Sequence, residues 1–188
     1  MKKIIIITDG DNVAKRSVEH CAREIGGRCI SLSAGNPSNI DSDTLISYIK
    51  EAPLEPVLVM VDDKGSRGYG RGEENLIHLL LSEDIEVLGI VAVASNTFSG
   101  SPIKVDVSVT KNLKISDKAV DKYGNEQKDK NFYGDTINVI EQFKARPIIV
   151  GIGDVGKMHG KDDILLGSPV LMKALNYILD RYRKSVVE

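Results

Sequence analysis

IIIITDGD, residues 4–11, is the stretch that decides the fold class. Its four consecutive isoleucines are too few for a secretion signal or a membrane span, and they suit a strand that is buried on both faces. The turn residues after them end the strand, and a helical stripe of small and apolar side chains follows. Asp11 or Asn12 is the expected N-cap of that helix, and Gly26-Gly27 its end. The stretch therefore predicts the opening strand and helix of an α/β protein.

The same alternation of strand and helix continues along the chain. Further strands are predicted at Cys29–Leu32, Val57–Val61, Val87–Ala94 and Pro147–Ile152, and helices after a cap at Asp43, at Glu74–Ser82, at Gly134–Phe143 and from Pro169 to about Arg183. Units of this length imply right-handed crossovers and a parallel sheet between helices. Residues 105–131 are polar and are predicted to form a β-hairpin excursion. We expect one α/β domain over residues 1–188, a three-layer sandwich with a mostly parallel central sheet, Rossmann-like or Toprim-like.

Composition narrows the function classes. The chain has 27 acidic and 25 basic residues and a formal charge of −2, which gives no electrostatic basis for binding nucleic acid. No run approaches the roughly 20 apolar residues of a membrane span, so we expect a soluble protein. Cys21 and Cys29 lack the spacing of a metal site and are interpreted as buried free thiols.

Two acidic pairs follow predicted strands. Asp9 and Asp11 flank Gly10 after the first strand, and Asp62 and Asp63 follow the third. Ligands bind at this edge of open α/β sheets, and carboxylates there can hold Mg²⁺ or Ca²⁺. If the two strands are neighbours, three or four carboxylates face one crevice. The alternative is structural: Asp11 caps a helix and one acid of the second pair is solvated.

Two glycine-rich loops are the candidate ligand-binding segments. GIGDVGKM, residues 151–158, resembles both the P-loop motif G-x-x-x-x-G-K and the dinucleotide-binding motif G-x-G-x-x-G. It lacks the hydroxyl and the helix that a P-loop requires after the lysine, and the following strand that a dinucleotide-binding fold requires. Gly153, Asp154, Gly156 and Lys157 therefore form either a structural loop or a contact for an anion or a partner.

The second loop, KGSRGYGRG at residues 64–72, offers Arg67 and Arg71 to a phosphate or carboxylate, with a mobile solvated loop as the alternative. The three histidines of the chain have no context typical of a catalytic triad. We therefore assign no catalytic residue.

Several stretches together resemble one family, and the likeness runs from Ile4 to about Arg181. They are residues 7–11 with 14–16, 25–33 with 35–37, 84–89 with 92–95, 134–136, 150–154, 156–158 and 167–170. This set resembles the stage V sporulation protein AE family, specifically the soluble member encoded among the spoVA genes of endospore-forming Firmicutes.

The resemblance implies a non-enzymatic accessory protein of sporulation and spore germination. Such a protein would act with spoVA or germination membrane proteins in the movement of dipicolinic acid, as its calcium chelate, or of ions across the spore inner membrane. It would lie in the spore or forespore, including as a peripheral protein on that membrane. No active site and no established cofactor come with the family. The oligomeric state is left open, with a homo-oligomer among the alternatives.

Two other functions remain open at this point. One is a Mg²⁺-dependent, Toprim-like phosphoryl-transfer enzyme or nuclease that uses Asp9, Asp11 and Asp62 or Asp63, with Arg67 or Arg71 as the anion clamp. Toprim domains pair such aspartates with a glutamate on an earlier strand, whereas Asp9 follows the first strand here. The other is a small-anion-binding module whose glycine loops cradle dipicolinate or phosphate.

Overall fold

Strands form where the sequence carries its apolar runs. The structure is a computed structural model that describes residues 1–64, 70–95, 102–134, 136–143 and 145–187. Its strands are β1 (Lys2–Ile7), β2 (Arg28–Cys29), β3 (Val57–Met60), β4 (Ile85–Val93), β5 (Ile103–Lys104), β6 (Val107–Val109), β7 (Ile115–Ser116), β8 (Asn131–Phe132) and β9 (Ile148–Ile152).

Helices begin where a side chain accepts from the first free amides. The α-helices are α1 (Asn12–Glu24), α2 (Ser42–Glu51), α3 (Arg71–Leu81) and α4 (Pro169–Val187). Asp11 caps α1, as one of the two predicted residues. The cap of α2 is Asp41, so the predicted Asp43 is wrong; Asp43 lies in the first turn, whereas Asp41 accepts from the Thr44 amide. In place of the predicted helix over 134–143, the described residues form a 3₁₀ segment, Asn138–Gln142.

The main sheet, as far as the described residues go, has seven strands in the order β2-β3-β1-β4-β9-β6-β7. Every neighbouring pair is parallel except β6 and β7, which are antiparallel. β1 is central, with Ile4 opposite both Val57 of β3 and Val87 of β4. The predicted α/β class with a mostly parallel sheet is confirmed, and the names Rossmann-like and Toprim-like stay predictions.

The four isoleucines of β1 divide between two cores. Ile4 and Ile6 pack with residues of α2 and α3 on one face of the sheet, and Ile5 and Ile7 pack with α1 and α4 on the other. All four are fully buried. An uninterrupted apolar run is needed because helices cover both faces, and alternate side chains of a strand point to opposite faces.

The polar excursion after β4 contributes to the sheet and also reaches over its edge. β6 pairs in parallel with β9, and β7 turns back on β6 as the predicted hairpin. Further along, the amide of Asp154 donates to the carbonyl of Lys122 over 2.8 Å. This bond brings the excursion against the loop that follows β9.

Candidate functional site

A cleft of about 380 Å³ opens at the carboxyl ends of β1, β3, β4 and β9. It is the edge at which ligands bind in open parallel sheets. The two strands that precede the acidic pairs, β1 and β3, are neighbours. The lining consists of Thr8, Asp9, Asp11, Asn36, Asp62, Lys64, Val93, Ala94, Ser95, Lys122, Asp154 and Lys157.

Three carboxylates meet in this cleft. Asp9, Asp11 and Asp154 each offer an oxygen, and these oxygens lie within 4.8 Å of one another. Asp9 and Asp11 come from the turn between β1 and α1, whereas Asp154 follows β9 on the far side of β4. Oxygens at this separation suit a hard divalent cation such as Mg²⁺ or Ca²⁺.

The Asp9 carboxyl is held away from water, with 8% of the residue exposed. Burial first, and the neighbouring Asp11 charge second, raise its pKa from 3.8 to about 7, while the hydrogen bond from the Asp11 amide and the charge of Lys157 act against this rise. Asp9 therefore exchanges a proton near neutral pH. A cation bound beside it would displace that proton.

The Asp11 carboxylate has two roles. One oxygen, Oδ1, accepts from the amides of Val13 and Ala14 at 2.8 and 2.9 Å and so caps α1. The other, Oδ2, accepts from Lys157 Nζ at 2.5 Å. Burial works to raise the pKa of Asp11, but these donors and the lysine charge outweigh it and lower the pKa. Asp11 is therefore ionised and fixed in direction.

Lys157 bridges two of the acids. Its Nζ donates to Asp11 Oδ2 and, at 3.0 Å, to Asp154 Oδ1. Burial disfavours its charge, yet the hydrogen bonds and charges of both aspartates prevail and raise its pKa. The ammonium thus occupies the position of a counter-ion among the carboxylates.

Backbone geometry fixes the loop that carries Asp154 and Lys157. A β-carbon at Gly153 would lie 2.7 Å from the Gly124 amide nitrogen, so this glycine permits the excursion to approach. Gly156 has φ +72°, and its amide donates to Asp162 at 2.8 Å. In the described structure these two predicted ligand-binding glycines shape the loop, while Asp154 and Lys157 line the cleft.

The second acidic pair separates. Asp62 lines the cleft, and its Oδ1 accepts from the amide of Lys64 at 2.8 Å. Asp63 instead accepts from the amides of Gly72 and Glu73 at 2.6 and 2.8 Å, at the start of α3. Of the four predicted metal ligands, Asp9, Asp11 and Asp62 come together at the cleft and Asp63 does not.

The arginines contribute less to the described cleft than the sequence suggested. Arg67 lies outside the described residues, and Arg71 is an exposed residue that opens α3. Two lysines line the cleft instead: Lys64, which directly follows the acidic pair after β3, and Lys122 from the excursion. No local pattern could have identified Lys122, because only the folding of the excursion over β9 brings it there.

The sequence did not indicate Asp162, which holds the loop of Lys157 in place. It is fully buried. Oδ2 accepts from the Gly156 amide, and Oδ1 accepts from the amides of Val170 and Leu171 at 2.8 and 3.1 Å. The carboxylate therefore ties the loop of Lys157 to the first turn of α4, where the helix dipole favours negative charge. Burial raises its pKa, against the effect of these three bonds.

None of the helices among the described residues combines the length and apolarity needed to cross a membrane. Neither the curated proteins nor the solved structures gave a match to the chain. A family model, described as Stage V sporulation protein AE1, matches residues 3–182, which include every cleft-lining residue. The chain therefore belongs to the Stage V sporulation protein AE1 family, and it is a sporulation-related protein.

Proposed function

We propose that the chain is a non-enzymatic accessory protein that acts with spoVA or germination membrane proteins in the movement of dipicolinate or ions across the spore inner membrane, and that the cleft binds this cargo. One observation supports the proposal that the cleft binds the cargo. Within the described residues, the cleft gathers four aspartates (Asp9, Asp11, Asp62, Asp154) and three lysines (Lys64, Lys122, Lys157). Both halves of calcium dipicolinate, a divalent cation and a dicarboxylate, have complementary charges there.

The aspartates of the cleft would bind the cation of the chelate. Ca²⁺ prefers six to eight oxygen ligands, about 2.3–2.6 Å away, including ligands from water and from a bound chelator. Asp9, Asp11 and Asp154 already converge, and Asp9 exchanges a proton near neutral pH. Entry of the cation would release that proton and displace Lys157 from the acids that it bridges.

The lysines of the cleft would bind the dicarboxylate of the chelate. Ammonium groups form charge-assisted hydrogen bonds with carboxylates, and Lys64 and Lys122 line the same cleft as the acids. Lys157, once replaced by a cation, becomes a third donor for the dicarboxylate. A chelate would thus be favoured over either free ion because each half neutralises one set of charges.

The described groups of the cleft favour binding over chemistry. The histidines lie elsewhere: His159 stacks on Tyr123 with ring centres 4.8 Å apart, and His78 shares a hydrogen bond with Ser42. The Thr8 hydroxyl oxygen accepts from the Val93 amide at 2.9 Å. The titratable groups that remain are carboxylates and ammonium groups, which bind cations and anions respectively.

Calorimetry with calcium dipicolinate, calcium chloride and sodium dipicolinate tests the cleft. We expect the chelate to bind the wild-type protein most tightly. Asp9→Asn should weaken binding at least tenfold, because it removes one ionised ligand. Asp180→Asn is the matched control, since Asp180 is exposed on α4 and pairs only with Arg183 among the contacts described for it. No heat with any of the three ligands would refute cargo binding.

Measurements on spores of mutant strains test the proposed role in dipicolinate movement. A strain that carries Asp9→Asn should accumulate or release dipicolinate more slowly than one that carries Asp180→Asn. Unchanged kinetics in a strain that lacks the gene altogether would refute the proposed role.

A further inference from the structure

An exposed apolar tip stands on the segment between β9 and α4. Ile164, Leu165 and Leu166 are consecutive, and 36%, 90% and 65% of their surfaces are exposed. Isolated exposed apolar residues are ordinary, whereas a contiguous exposed apolar patch is a feature of interaction surfaces. We call these three residues the apolar tip.

The tip is held by hydrogen bonds. Asp163 Oδ1 accepts from the Leu165 amide at 2.8 Å, and the Asp163 carbonyl accepts from the Leu166 amide at 2.9 Å. Gly167 closes the turn with φ +83°, and its amide donates to the Ile164 carbonyl at 2.9 Å. The side chains are therefore presented by an ordered turn, so little further conformational entropy is lost when they bind.

Basic side chains lie beside the tip. Val13, Arg16 and His20 follow one another at intervals of three and four residues and so share a face of α1. That face adjoins the loop at both ends: a β-carbon on Gly156 would lie 2.9 Å from Val13, and one on Gly167 would lie 3.6 Å from His20 Nε2. Arg16 stands between them and is exposed.

Lys161, three residues before the tip, is also exposed. Asp163, directly before the tip in the chain, accepts from the Leu165 amide. The border of the tip therefore carries two exposed cationic groups, Arg16 on the helix side and Lys161 on the loop side, beside the one carboxylate of Asp163.

We propose that the apolar tip and its basic border dock the protein on an anionic lipid bilayer. A leucine with 90% of its surface exposed protrudes from the protein instead of lining a groove, and this shape suits insertion among lipid headgroups. Each basic group near an anionic surface adds about 1 kcal/mol of attraction. The complementary charge favours lipid over a second copy of this chain, which would present the same basic border.

Docking would place the cleft close to the bilayer. The segment from Asp154 to Leu166 carries both Lys157 of the cleft and the apolar tip. The two surfaces are nevertheless distinct, and docking does not depend on which ligand the cleft binds.

Co-sedimentation with phosphatidylglycerol vesicles, compared with phosphatidylcholine vesicles, tests the proposal. The wild-type protein should bind the anionic vesicles. The double variant Leu165→Asp, Leu166→Asp should lose at least tenfold in affinity, because aspartate is excluded from the interface and repelled by the lipid. Leu81→Asp is the matched control: Leu81, at the end of α3, has the same 65% exposure as Leu166 but lies at the opposite edge of the sheet.

The charge requirement is tested by Arg16→Glu, Lys161→Glu, which should weaken binding to anionic vesicles and remove its salt dependence. Thermal melting of every variant shows whether it folds. Equal binding to both kinds of vesicle, or unchanged binding by the leucine variant, would overturn the proposal. So would a wild-type dimer, measured by light scattering, that the leucine variant dissociates, since the tip would then bind a second copy. Failure of the calcium dipicolinate titration leaves these results unaffected.

Discussion

The acidic pairs that follow β1 and β3 occupy equivalent places but have different roles. Asp9-Gly10-Asp11 follows β1, Asp62-Asp63 follows β3, and these two strands are neighbours. Asp9 and Asp11 both face the cleft, where Asp154 joins them. Only Asp62 of the second pair lines the cleft, because Asp63 turns away to bind the amides that open α3.

Spacing accounts for the difference. Residues two apart in an extended segment point to the same side, whereas adjacent residues point to opposite sides. Gly10 separates the first pair and lets both acids face the cleft. The second pair has no spacer, so one acid faces the cleft and the other faces the protein. The adjacent acids after β3 thus divide between lining the cleft and supporting the start of α3.

The largest expected effect is the loss of the supporting acid. Asp63→Ala should lower the free energy of unfolding by about 4 kcal/mol, because two amides at the start of α3 would lose their buried acceptor. Urea unfolding measures it. Asp41→Ala removes an exposed cap and should cost about 1 kcal/mol. An equal loss in both variants would mean that burial of Asp63 adds nothing.

Neutralising Asp9, the buried acid of the cleft, should raise the free energy of unfolding. The pKa of Asp9 is about 7 in the folded protein against an ordinary value of 3.8, so the folded state holds this proton more tightly. The stability that Asp9 contributes is fully present below its ordinary pKa of 3.8, and it is lost as the pH rises through its folded pKa of about 7. Asp9→Asn should therefore gain about 2 kcal/mol over the wild-type protein at about pH 8.

Urea unfolding of Asp9→Asn and wild-type protein across this pH range measures the gain. The two proteins should converge in stability toward acid pH, where Asp9 is protonated. A difference that does not change with pH would show that Asp9 titrates normally.

Removing the bridging cation should have a smaller effect. Lys157→Met leaves Asp11 and Asp154 without their shared partner, so the acids repel one another. We expect a loss of about 1 kcal/mol at neutral pH, reduced by solvent screening because 36% of the lysine side chain is exposed. Lys50→Met breaks an ion pair with Asp84 that is more than half exposed and should cost less. Identical losses, read from urea unfolding, would contradict a special role for Lys157.

The smallest expected effect separates capping from charge at Asp11. Asn is as good an N-cap as Asp, so Asp11→Asn should keep the bonds from Val13 and Ala14. It removes the ion pair with Lys157, but Lys157 keeps its pair with Asp154, so we expect a loss of about 0.5 kcal/mol. Because the Asp11 charge helps to raise the pKa of Asp9, that pKa should fall in the variant. Carbon-13 NMR titration of the Asp9 carboxyl measures the change. A pKa that stays near its wild-type value would leave burial as its sole important cause.

The sequence predicted those features that depend on neighbours in the chain. The buried isoleucine run, the Asp11 cap and the acids at the ends of two strands all come from local chemistry. Lys157 was predicted as a ligand contact on a glycine motif, yet its partner Asp11 lies 146 residues away. Lys122 enters the cleft only because the excursion packs against Gly153. Such pairings depend on packing between distant segments, which no local pattern encodes.

The sequence by itself determined that this protein has a strand buried on both faces, a parallel α/β order and carboxylates at the ends of its strands. Apolar periodicity and turn residues fix those features within a few residues of each other. The tertiary structure alone decided which acids share the cleft, that Asp63 and Asp162 hold helices, and that Lys157 lies between Asp11 and Asp154. The reason is physical: the direction of a side chain, and the water left around it, are set by whatever packs against it.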